Sequence, residues 1–170
     1  MLQTATLSQQ VIATLLVDPI TFLLHHPSVA YNFLYRSPKR ANEWQLWYFA
    51  SCDPDIARTL GRHFFWNECI MWKEDLNGGR GVAVVLSEDD QIVDAKAVRK
   101  YLTGEESLSW ERDGLEVLWY PGLDHAMVWD TRERRKPMLE IVRRFTMMAS
   151  VGGTSDGSAD VSDLPTELGA

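Results

Sequence analysis

Residues 81–98 read GVAVVLSEDDQIVDAKAV, and the fold turns on how this stretch is read. Val82 to Leu86 is apolar without alternation, the pattern of a strand covered on both faces, as in a parallel sheet. One serine later the chain turns acidic at Glu88, Asp89 and Asp90, so the rim where this strand ends must have a use for carboxylates. Asp94 then fits the N-cap of a helix whose Ala95, Val98, Tyr101 and Leu102 form one apolar face. Beyond a loop over residues 104–114, LEVLWY (residues 115–120) reads as a second strand, closed by Pro121-Gly122. A last helix is expected from near Arg132, with Pro137 near its first turn and Met138, Ile141, Val142, Phe145 and Met148 along one stripe. Strand, helix, strand, helix in that order predicts parallel strands joined by a right-handed crossover.

Upstream, residues 11–18 (VIATLLVD) form a β-rich apolar run closed by Asp18-Pro19, where proline should hold Asp18 extended. A third buried strand is expected there. Residues 27–35, 41–51 and 53–64 read as helices, the last with Asp53 as N-cap, Pro54 in the first turn, and Ile56, Leu60 and Phe64 at helical spacing. Of 18 aromatic residues, 12 fall between Asp18 and Gly79, which predicts that they cover either the core or a ligand cavity. NGGRGV, residues 77–82, lacks the Lys-Ser/Thr of a phosphate loop and precedes a strand, so it is a turn.

At 170 residues and 45 % hydrophobic, the chain can bury one core. The net charge of −7 argues against nucleic acid as a partner, which would need a basic face. Asp156, Asp160, Asp163 and Glu167 lie in residues 149–170, a Gly/Ser/Asp-rich stretch without Lys, Arg or aromatic residues, read as a disordered acidic tail after a domain at 1–148. Cys52 and Cys69, with no CxxC, are expected to be buried thiols. No signal peptide is evident and the apolar run at residues 11–24 falls short of the ~20 residues of a membrane helix, so no transmembrane segment is expected and the default compartment is intracellular. His25 and His26 are adjacent and cannot converge on one ion, and no Cys/Asp cluster supports His63. No metal and no cofactor is expected. The basic cluster from Arg132 to Lys136 reads as a solvated face.

Parallel neighbours finish on the same rim of a sheet, about 4.8 Å apart. The acidic turn after Leu86 and the loop PGLDHAMVW after Tyr120 therefore emerge side by side, bringing a carboxylate to His125 where ligands bind in doubly wound sheets. Asp90 is preferred over Glu88 and Asp89: it lies four residues past Leu86, and Ile92-Val93 can pin the turn to the sheet. Asp124 is assigned to loop solvation and Asp94 to capping. An acid followed 35 residues later by a histidine fits the last two members of a Ser…Asp…His triad, in which the carboxylate fixes the imidazole tautomer and the imidazole takes the proton of a serine hydroxyl.

The segments VVLSEDDQIVDAKAVRKYL and LEVLWYPGLDHAMVWD resemble the final third of an α/β-hydrolase, S-x-D-D-x-I-V standing where that family has its G-x-x-D-x-I-V acid turn and PGLDH where it has its histidine loop. LLVDPITFLLHHPSVAYNFLYR and RHFFW are similar to fungal hydrolase-like proteins, some with membrane anchors upstream of the domain; the resemblance spans about residues 15–145. It implies a partial α/β-hydrolase fold, about three parallel strands with flanking helices, and an aromatic-rich helical cap at about 19–79. It further implies catalytic Asp90 and His125, an ester or other acyl substrate once the N-terminal half is supplied, and membrane association through an absent upstream segment. The family's nucleophile, a serine in G-x-S-x-G ahead of the first of these strands, is not in the sequence, nor is an HGGG-type oxyanion loop. Ser8 has no flanking glycines, Ser51 lies in the helical region and Ser87 in the acid turn. The expectation is a C-terminal portion inactive alone, or a non-catalytic interaction module on the same half-fold.

Overall fold

A computed structural model describes residues 11–76, 81–104, 109–112 and 114–152. Four strands form one sheet: β1 (Ala13–Val17), β2 (Gly81–Ser87), β3 (Ser109–Arg112) and β4 (Leu115–Tyr120), in the order β1-β2-β4-β3. β1, β2 and β4 run parallel, with Val17 beside Val85 and Ser87 beside Tyr120. These are the three strands expected. β3 is the addition: within the stretch read as a loop, Ser109–Arg112 pairs antiparallel with β4. Four residues carry too little periodicity to announce a strand.

The continuous apolar run of β2 is explained by its neighbours. Val82, Val84 and Leu86 point to one face, where they meet Ala95, Val98 and Leu102 of helix α5 (Ala95–Thr103) with Leu115, Val117 and Trp119 of β4. Val85 points to the other face, against Met138 of helix α6 (Arg132–Gly152), Val128, and half-buried Leu15, Val17, Leu118 and Tyr120. Helices on both faces of a parallel sheet are what that composition requires. Asp94 caps α5 as expected, accepting from Ala97 N–H at 3.0 Å, and Gly104 ends it in the left-handed conformation at φ 72°. Of the stripe on α6 only Met138 and Ile141 are buried; Val142 and Met148 are exposed. Four residues of the stretch assigned to the tail belong to α6, and residues 153–170 lie outside those described.

Between β1 and β2 the chain is helical where expected. Short α1 (Pro27–Ala30) and α2 (Ala41–Leu46) each continue into a π-helical turn, at Tyr31–Tyr35 and Trp47–Ser51; α3 (Pro54–Arg62) and α4 (Trp66–Cys69) follow. Asp53 caps α3, accepting from Asp55 and Ile56 N–H. Phe22 is fully buried and, with Leu24, Val29 and Leu76, joins the α5-side core.

The expectation for the aromatics is corrected here. Nine of the twelve are exposed: Tyr31, Tyr35, Trp44, Trp47, Tyr48, Phe49, Phe65, Trp66 and Trp72. Short helices with aromatics all round can turn only one side to the core. Cys52 and Cys69, expected to be buried, are exposed for the same reason. Asp18 also departs from expectation: its φ is 43°, left-handed rather than extended, because its carboxyl group is drawn into the hydrogen bonds described next.

Candidate active site

The hydrogen-bond ladder between β2 and β4 does not stop at the strand ends. Glu88 N–H donates to the carbonyl of Tyr120 at 3.0 Å and Asp89 N–H to that of Leu123 at 2.8 Å. Glu88 returns a contact by accepting from Gly122 N–H at 3.1 Å and pairs with Lys96 at 3.2 Å. The acid turn and the histidine loop are thus zipped together on the rim, and Asp90 and His125 meet there.

Asp90 Oδ1 accepts from Ile92 N–H at 2.7 Å and Val93 N–H at 3.0 Å, which fixes the carboxyl group in its own turn. Its other oxygen, Oδ2, lies 2.7 Å from His125 Nδ1. The Asp90 side chain is 2 % exposed and that of His125 is 26 % exposed, so the acid is enclosed and the base reachable. A carboxylate can only accept, so Nδ1 carries the proton and the neutral ring presents a lone pair at Nε2. Burial alone would lower the imidazole pKa; the hydrogen bond to Asp90 and the charges of Asp90, Asp18 and Asp124 outweigh it, and the net shift is upward.

Two further carboxyl groups build this site. Asp124 is buried rather than solvated, which corrects its assignment to loop solvation. Its Oδ1 accepts from His125 N–H at 2.7 Å and Gln91 N–H at 2.8 Å, and Oδ2 accepts from Asn42 of α2. The loop needs this acceptor because its backbone donors are taken out of water. Asp18, at the carboxyl end of β1, is 4 % exposed and accepts from Ser87 N–H at 2.8 Å, Ser87 Oγ at 2.9 Å and Ala126 N–H at 2.9 Å. Burial raises its pKa, with hydrogen bonds from Ala126 and Ser87 opposing and the Asp90 charge adding to the rise. In the sequence Asp18 reads only as a strand stop. The signal was available, because β1 ends on the same rim as β2 and β4.

One oxygen or nitrogen each from Asp18, Asp90 and His125 lies within 4.8 Å of the others. Each of the two carboxyl groups already accepts from three protein donors, which accounts for the cluster as a hydrogen-bond network, and Nε2 of His125 keeps its lone pair. Among the described residues no serine, threonine or cysteine hydrogen-bonds the imidazole. Ser87 is fully buried with its hydroxyl on Asp18, so it cannot meet a substrate. His25 is stacked on Trp72, 5.6 Å between ring centroids.

Beside Asp90 lies an open polar cleft of about 330 Å³, with Arg36, Lys39 and Arg40 of the helical segment on one side and Asp89, Asp90 and Gln91 on the other. Asn32 fastens that segment to the acid turn, donating to the carbonyl of Ile92 at 3.0 Å. Among the described residues no helix is long and apolar enough to cross a membrane. Comparison with protein-family models, curated proteins and solved structures finds no match to the chain.

Proposed function

We propose that the chain carries the acid–base half of a serine-type α/β-hydrolase acting on an ester or other acyl substrate. The contact of 2.7 Å between Asp90 and His125, at the carboxyl ends of parallel strands, carries this reading. In it, Asp90 holds the Nδ1–H tautomer and stabilises the imidazolium. Nε2 of His125 takes the proton of a serine hydroxyl as that oxygen attacks the acyl carbon, then returns the proton to the leaving group. No G-x-S-x-G occurs in the sequence, so this reading requires the serine to be supplied by a further polypeptide segment. The outer edge of β1, unpaired among the described residues, would receive a further parallel strand whose end falls about 4.8 Å from that of β1, beside Asp18, which itself lies close to His125. Residues 19–79 then act as the cap, with the cleft beside Asp90 under it.

Producing the chain together with whatever polypeptide its reading frame encodes upstream and treating it with a fluorophosphonate tests this. One serine should be labelled, and the label should be lost in His125→Ala; labelling indifferent to His125 refutes the reading. The 170-residue chain by itself should cleave p-nitrophenyl butyrate no faster than its His125→Ala variant. The nine exposed aromatic side chains favour a second reading, a non-catalytic interaction module, which the same experiment supports if no serine reacts.

A further inference from the structure

The acid–histidine pair does not account for Asp18. A buried carboxyl group is costly to keep, and this one stands at the end of a different strand, 108 residues before the Ala126 N–H it accepts. We propose that Asp18 is the positioning residue of His125: its carboxylate latches the histidine loop to the ends of β1 and β2 and thereby holds the imidazole on Asp90.

Consider the backbone on either side of the imidazole. His125 N–H is held by Asp124 Oδ1 at 2.7 Å, and the following N–H, that of Ala126, by Asp18 Oδ2 at 2.9 Å. Both peptide groups flanking the histidine are therefore fixed, and the direction of its Cα–Cβ bond with them. Ala126 adopts φ 62°, a left-handed conformation that is unfavourable for a residue with a Cβ. Something must hold it there, and a hydrogen bond to a charged acceptor is strong enough.

The latch is itself anchored. Asp18 N–H donates to the carbonyl of Val85 at 2.9 Å, and its carboxylate accepts both the N–H and the hydroxyl of Ser87, the last residue of β2. Three donors converge on two oxygens. Asparagine offers a single acceptor oxygen and would leave at least one of those donors facing an NH2 group, which explains why the residue is an acid. The charge has a second effect. Asp18 and Asp90 both lie close to the ring, with Asp124 on its own loop, and all three favour the protonated imidazole.

This rests on the proposed role of His125 only for its consequence in turnover; the test reads the imidazole directly, so the two can fail separately. Asp18→Asn in the full chain is followed by NMR titration of His125. The expected result is a downward shift of the imidazole pKa together with loss of the slowly exchanging Nδ1–H resonance. Adding Ala126→Gly, which takes positive φ freely, should restore that resonance but not the pKa, because geometry returns and charge does not. A purely structural role would lower Tm and leave both signals of the folded protein in place; that outcome overturns the proposal. Should Asp18→Asn not fold, the unmodified protein decides. The ring shifts of His125 should show a second inflection where the 13C carboxyl signal of Asp18 titrates, and a single inflection refutes the latch.

Discussion

Replacing Asp90 by Asn separates the two tasks of its carboxyl group. The amide keeps an oxygen for Ile92 and Val93 N–H, now accepted at 2.7 and 3.0 Å, so the turn survives. At the position of Oδ2 it presents an NH2 group to His125 Nδ1, where a 2.7 Å contact to a carboxylate stood. The neutral ring can answer by moving its proton to Nε2; the imidazolium cannot, since both its nitrogens are donors. The cost therefore depends on pH. Against the charged ring a charge-assisted bond worth about 1.5–3 kcal/mol is lost outright; against the neutral ring it is exchanged for a bond from the amide to Nδ1, so the net loss is smaller.

The sign follows from the raised pKa of His125. A group whose folded pKa lies above the unfolded value, near 6.5, contributes stability that is fully present below that value and disappears as pH climbs through the folded pKa. Urea unfolding followed by circular dichroism should give the larger ΔΔG for Asp90→Asn at about pH 5 and the smaller at about pH 9. The difference should equal about 1.4 kcal/mol for each pKa unit that NMR shows His125 to have lost. Equal ΔΔG at both pH values, with the histidine titrating as in the parent protein, refutes the assignment of the pair.

Phe22→Ala should destabilise by about 3–5 kcal/mol in the same urea assay, because a fully buried ring is removed from the core that joins the helical segment to α5. Gly81→Ala would place a Cβ 2.5 Å from Cε1 of Phe145; a loss of about 1–3 kcal/mol is expected, much reduced when Phe145→Leu is also present. Asp53→Ala removes the N-cap of α3 and should lower stability by about 1 kcal/mol, read from the urea midpoint at constant m. Both Cys52 and Cys69 should react with Ellman's reagent in the native protein without denaturant.

Local pattern is enough for the individual elements and for the pairing of two distant strand exits. An unbroken apolar run at Val82–Leu86 needs cover on both faces, Asp94 and Asp53 cap the helices that follow them, and parallel connection brings the turn after Leu86 to the loop after Tyr120. Asp90 and His125 were legible because each lies just beyond a recognisable strand end, where period and turn residues are strong local signals. Which residues share an environment across the sheet is set by tertiary packing. Asp18 and Asp124 look like loop acids until the third strand end and α2 are in place to bury them; then their oxygens become the acceptors for donors removed from water. The left-handed turns at Asp18 and Ala126, the strand Ser109–Arg112, and the exposure of the aromatics and both cysteines belong to the same class. Periodicity reports which residues can be buried together, whereas the site arises from donors and acceptors far apart in the chain whose meeting no local pattern encodes.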